Sequence, residues 1–137
     1  MRELKFVFVI ALLPMMVVAA DAPKCDEAGT QAQLNACAAD EFAAADRKLN
    51  EVFQALLKKE AKNTAFVQKL RAAQRTWIAF RDAELEAMYA CDSSNQAVCW
   101  GSMLSMCYSS YKAQLTRERT ARLQQFLDEG QPADKCH

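Results

Sequence analysis

The sequence has few of the residues that interrupt helices: its 137 residues include three glycines and three prolines. None of these lies between Thr30 and Trp100, a stretch rich in Ala, Leu, Lys, Glu, Gln and Arg. These residue types are strong helix formers. The three glycines are also far apart in the chain, which excludes a glycine-rich phosphate-binding loop. The composition therefore predicts an all-α chain.

Histidine is nearly absent, since His137 at the C-terminus is the only one. Nucleophilic catalysis of the Ser-His or Cys-His type is thereby excluded. The sequence also has no CxxC motif, which argues against thioredoxin-like exchange and structural zinc. A soft-metal site at Met103, Met106 and Cys107 is the weaker alternative. We therefore predict a protein that is not an enzyme and that binds no cofactor.

Neither sign of charge is in excess, because 17 basic residues balance 17 acidic ones. Proteins that bind nucleic acid carry a clustered basic excess. The balance predicts that nucleic acid is not a partner.

Charge is also missing from Phe6 to Ala20, after a start made positive by Arg2 and Lys5. This pattern, which ends in small residues, is typical of a signal peptide. The apolar stretch is shorter than the ~20 residues that a membrane-spanning helix requires. We predict a signal peptide over residues 1–20, a single mature domain over residues 21–137 that is not membrane-bound, and a periplasmic or secreted location.

Three long helices are expected in the mature chain. The first begins after Thr30 as N-cap, the second spans about 65–90, and the third begins near Gly101 with Ser102 as a candidate cap and ends at Gly130. Short connections make neighbouring helices antiparallel. The predicted fold is an all-α, up-down-up antiparallel three-helix bundle stapled by disulfides.

Polar residues interrupt the apolar stripe of each helix. Asp46 lies on the stripe of helix 1, Gln74 and Arg81 on that of helix 2, and Arg119 on that of helix 3. Pairing the helices at equal rise per residue brings these groups into one mid-bundle layer, with Arg119 opposite Ala73. We interpret the layer as a buried ion network that fixes helix register. A binding or catalytic site is the weaker alternative.

Six cysteines in an exported chain of this size predict a disulfide framework. The register brings Cys37 and Cys107 to one level on helices 1 and 3, which favours that pair. Cys91 and Cys99 flank the second turn and can close a small loop across it.

The remaining two cysteines, Cys25 and Cys136, are expected near opposite ends of the bundle. The C-terminal tail is too short to join them easily at ~3.5 Å per residue. Cys25 pairing with Cys91 or Cys99, with Cys136 left for an intermolecular bond, therefore remains open.

The spacing of eleven residues resembles that of the LprI-like lysozyme-inhibitor family of small exported bacterial proteins. The resemblance covers nearly the whole mature chain, although many members have a cysteine where this chain has Leu85. The residues that carry it are Thr30, Gln31, Asn35, Asp46, Asn50, Gln74, Trp77, Arg81, Asp82, Thr116 and Arg119.

The resemblance implies an exported helical domain that binds and blocks lysozyme, with the eleven signature residues serving as scaffold. The alternative is a non-inhibitory envelope module that binds a protein partner. Such a module would use an exposed helix face or the apolar segment containing Trp100, Met103, Met106 and Tyr108. Core packing at the end of the bundle is the competing interpretation of that segment.

Overall fold

The computed structural model describes residues 28–131, and within this range helices are joined by short turns and no strand is present. The helices are α1 (Gln31–Lys59), α2 (Thr64–Met88), the short α3 (Ala97–Trp100) and α4 (Leu104–Glu129), with a 3-10 turn at Gly101–Met103 between the last two. The all-α prediction is confirmed. The predicted signal peptide, Cys25 and Cys136 lie outside the described residues.

Side chains cap the first two long helices. Thr30 is the N-cap of α1 and forms a capping box with Gln33. Asn63 caps α2, where its Oδ1 accepts a hydrogen bond from the Phe66 amide at 3.2 Å. Each cap satisfies amides that have no partner in the first helical turn.

The third long helix begins differently from the prediction. α4 starts at Leu104, and no side chain caps it, so Ser102 is not the N-cap. The short α3 and the 3-10 turn lead into α4 instead, and the Ser102 carbonyl accepts a hydrogen bond from Asn35 at 3.4 Å. Gly130 ends α4 with φ +77°, a conformation that favours glycine.

Contacts between helix ends show which segments are neighbours. The Asn35 bond links the start of α1 to the 3-10 turn before α4, and Lys59 donates to the Leu127 carbonyl, which joins the ends of the same two helices. α2 contacts α4 through a hydrogen bond from Arg119 to Gln74.

An aliphatic core fills the end of the bundle near the α1–α2 turn. Six buried residues form it, and Phe53, Phe66, Val67, Trp77, Phe126 and Leu127 pack around them. The six are Leu49, Val52, Leu56, Leu57, Leu70 and Leu123.

Small side chains line the contact between α1 and α4, which is the most extensive in the fold. Ala38, Ala45, Ala113 and Thr116 are buried. Their small size lets the two backbones approach closely. None of the described helices is long and apolar enough to cross a membrane.

Candidate functional site

The polar layer is centred on Arg81, a guanidinium that is only 6% exposed. Its Nε donates to Asp82 Oδ1 at 2.9 Å, and one of its terminal nitrogens lies 2.8 Å from the same oxygen. The guanidinium also lies over the rings of Trp77 and Phe42, at 5.2 and 5.7 Å from their centroids. One carboxylate and two aromatic faces thus stabilise the buried charge.

Lys112 on α4 contributes a second positive charge to this layer. Its Nζ lies 3.4 Å from Asp82 Oδ1 and 5.0 Å from the Phe42 centroid. Partial burial acts to raise the pKa of Asp82, but the hydrogen bond and charge of Arg81, with those of Lys112, outweigh it and hold that pKa below its usual value. Asp82 is therefore ionised at neutral pH and links α2 to α4.

Arg119 forms the third part of the layer. Its Nε donates to Gln74 Oε1 at 3.0 Å, and its guanidinium lies 5.9 Å from the Trp77 ring centroid. This contact is one residue from the predicted position opposite Ala73. Burial, together with the charge of Arg122, lowers the pKa of Arg119 from its usual value.

Asp46 does not take the predicted place in the network. Its Oδ2 accepts from Asn50 Nδ2 at 3.1 Å, and no ion pair among residues 28–131 joins it to Arg81 or Arg119. The expected Asp46–Arg81–Arg119 network is therefore wrong. The physical reason is that the flexible Arg81 side chain turns back to the carboxylate of its own neighbour, Asp82.

Residue spacing gave no direct signal for this neighbour pair, because adjacent residues on a helix point in different directions. Lys112 was missed because it lies on α4, and its Nζ contacts Asp82 across the interface with α2. Phe42 was one available indication of where the two cations lie. It is on the same stripe of α1 as Asp46, and its ring contacts both the Arg81 guanidinium and the Lys112 ammonium.

Of the other signature residues, Thr30 caps α1, and Asn50 is exposed and bonds to Asp46 within α1. Gln31 donates to Asn35 Oδ1 at 2.8 Å, close to the start of α1. Thr116 is fully buried, and its hydroxyl donates to the Lys112 carbonyl at 2.7 Å. These contacts agree with a scaffold role, which stays a prediction.

The cysteines are paired only partly as expected. Cys91 and Cys99 form a disulfide with a Cα–Cα distance of 6.0 Å, so the predicted loop is closed and Cys25 does not bond to either of them. Cys37 is disulfide-bonded, but Cys107 is a free thiol, so the predicted Cys37–Cys107 pair is wrong. Cys107 lies near Tyr89. The pKa of Tyr89 is raised first by burial and second by the electrostatic effect of Cys107.

Three aromatic residues pack together: Tyr89, Trp100 and Tyr108. Trp100 Nε1 donates to the Tyr89 carbonyl at 3.2 Å, and the two rings meet edge to face with centroids 5.3 Å apart. Tyr108 packs on the other side of Tyr89 at 5.6 Å. This aromatic cluster is therefore only partly core, because Tyr89 is buried while Trp100 is 41% exposed.

Several large apolar side chains around this cluster are exposed. Val98 is 72% exposed, and Met88 and Met103 are each 51% exposed. Met106 and Tyr108 are half-buried, so only Trp100 and Met103 of the segment singled out in the sequence are exposed. The disulfide braces the loop that carries Val98.

Two open clefts lie on the described surface. One of about 270 Å³ lies between α1 and α2 and includes Arg71, Arg75 and Gln74. The other, of about 300 Å³, lies beside Leu104 and Tyr108. Within residues 28–131, no group of His, Cys, Asp or Glu is arranged to hold a metal ion.

The fold and these side chains define a small helical domain whose polar residues mainly hold helices together. Its exposed large apolar residues lie partly in or next to the disulfide loop, at Met88, Val98, Trp100 and Met103, and partly in the middle of α2, at Ile78 and Phe80. Residues 23–123 match the family described as "Lysozyme inhibitor LprI". The chain belongs to this family, and the resemblance seen in the sequence is confirmed.

One curated relative is an uncharacterized protein of Rhizobium meliloti (strain 1021). It is 31% identical over 117 residues, which cover 77% of this chain and 80% of the relative. No solved structure matches the chain.

Proposed function

We propose that this chain is an exported protein that binds lysozyme and blocks its activity. The observation that carries the proposal is the family match over residues 23–123, a family described by lysozyme inhibition. Binding through a protein surface agrees with the exposed apolar residues of the disulfide loop.

The proposal includes the location and architecture inferred from the sequence. Residues 1–20 direct export as a signal peptide, and the mature domain works in the periplasm or outside the cell. The long helices run up-down-up, which is supported by the contacts of Asn35 with Ser102, Lys59 with Leu127, and Gln74 with Arg119.

An assay of lysozyme activity tests the function directly. The protein is recovered in oxidised form after export from an expressing bacterium and added in micromolar excess to several lysozyme types. We expect slower cell-wall hydrolysis by at least one type. Full activity of every lysozyme would contradict the proposal and favour the alternative, a non-inhibitory envelope protein that binds another partner.

A further inference from the structure

The two ends of the bundle carry opposite charge although the chain as a whole is neutral. Residues 28–46 and 82–111, called here the loop end, contain seven carboxylates and no Lys, Arg or His. The remaining described residues, 47–81 and 112–131, called the hairpin end, contain 13 basic residues and five acidic ones. Charge is thus separated along the molecule.

Contacts bring the two segments of the loop end together in space. Asn35 on α1 binds the Ser102 carbonyl, and Glu84 on α2 accepts from the Tyr111 hydroxyl at 2.8 Å. Asp82 is neutralised by Arg81 and Lys112. The acidic character therefore comes from the other six carboxylates, of which Asp40, Glu86 and Asp92 are exposed.

The same end presents an apolar surface. Val98, Trp100 and Met103 are exposed on the short segment between α2 and α4. The Cys91–Cys99 disulfide and the bond from Trp100 to the Tyr89 carbonyl hold this segment in place. A preorganised apolar surface loses less conformational freedom on binding, and tryptophan is among the residues that most often dominate binding energy.

We propose that the loop end is the docking surface for a basic protein, with Val98, Trp100 and Met103 at its centre and the surrounding carboxylates facing cationic groups of the partner. This inference rests on the proposed function, and it identifies a basic lysozyme as the partner. Charge complementarity selects this occupant, since the loop end offers acids without bases. The hairpin end would repel the same partner.

The two parts of the surface act on different rate constants. Exposed rim charges steer encounter, so they set the association rate and its dependence on salt. Buried apolar contacts mainly set the dissociation rate. These separate effects make the proposal testable with matched variants.

The first test removes charge at one end at a time. One variant carries Asp40→Asn, Glu86→Gln and Asp92→Asn, and its control carries Glu51→Gln, Glu118→Gln and Asp128→Asn at the hairpin end. All six residues are exposed, and both variants change the net charge equally. Association with an immobilised basic lysozyme is measured at low and high salt.

We expect the loop-end variant to associate about tenfold more slowly at low salt and to lose most of its salt dependence. The control should stay within about threefold of wild type. Equal slowing by both variants would overturn the inference, because only net charge would then matter. If the wild-type chain binds no lysozyme, the proposed function fails together with the inference.

The second test removes apolar surface. The variant Val98→Ala with Met103→Ala should dissociate at least about tenfold faster. Its control, Ile78→Ala with Phe80→Ala, removes apolar side chains of similar exposure from the middle of α2 and should change dissociation less than about threefold. A larger effect from the control would move the docking surface to α2 and overturn the inference.

Discussion

The loop end and the hairpin end of the bundle are built in different ways. The hairpin end holds an aliphatic core of six buried residues, and its surface is basic. The loop end relies on small buried alanines, an aromatic cluster and a disulfide, and it leaves large apolar side chains exposed. The difference separates a part that mainly stabilises the fold from a part whose exposed surface suits a partner.

Truncating the core should have the largest effect. Leu56 is fully buried within the aliphatic cluster, so Leu56→Ala should lower the free energy of unfolding by about 3–5 kcal/mol. Leu85, equally buried but outside that cluster, is the matched variant at the loop end and should cost about 2–3 kcal/mol. Urea denaturation measures both, and a larger cost at Leu85 would reverse the comparison.

The Cys91–Cys99 disulfide should make the next largest contribution to the free energy of unfolding. Replacing Cys91 and Cys99 by Ala should lower the free energy of unfolding by about 2–3 kcal/mol, since the closed loop is short. The same double variant should bind lysozyme more weakly, because the segment around Val98 loses its brace. Thermal denaturation and binding are measured on one sample. Unchanged affinity despite lower stability would show that the brace does not serve binding.

The ion pairs of Asp82 with Arg81 and Lys112 make the free energy of unfolding depend on pH. The folded pKa of Asp82 is lower than the ordinary value of 3.8, so its stabilising contribution is complete from about pH 5 upward and is lost as pH falls through the folded pKa. Asp82→Asn should cost about 1–2 kcal/mol at pH 7, reduced by the partial exposure of the carboxylate. The variant should also lose part of the acid dependence.

Asp46→Asn is the control for that measurement. Asp46 is bonded only to Asn50 among the contacts described, so its substitution should change the free energy of unfolding by less than about 0.5 kcal/mol. Unfolding in urea between pH 2 and pH 7 distinguishes the two carboxylates. A larger effect at Asp46 would restore the network predicted from the sequence.

Apart from the Asp46 control, removal of helix caps should lower the free energy of unfolding least. Thr30→Ala at the loop end and Asn63→Ala at the hairpin end each remove a side-chain cap and should each cost about 1 kcal/mol. Similar values are expected because both caps are exposed. A clearly larger loss at Thr30 would indicate that the start of α1 has a greater role than capping.

Much of the fold was predictable because it depends on local chemistry. The run from Thr30 to Trp100 without glycine or proline predicted the long helices α1 and α2, and the cap at Thr30 was predicted correctly. The start of α4 was not, since α3 and the 3-10 turn depend on tertiary contacts such as Asn35 with Ser102. Local sequence does not reveal that contact.

The site was less predictable than the fold for the same reason. Helix register located the Arg119–Gln74 contact within one residue, but it did not indicate where long side chains turn. Arg81 pairs with Asp82 and not with Asp46. Cys107 lies near Tyr89 and is not bonded to Cys37. The separation of charge became apparent only when distant segments were brought to one end.

Hydrogen–deuterium exchange of the chain, free and saturated with a basic lysozyme, shows directly whether the loop end is the surface that binds. Docking through the loop end predicts new protection in residues 97–111 and at the start of α1, with little change in residues 47–81. Protection concentrated in residues 47–81, or the absence of any protection at saturating lysozyme, would contradict it.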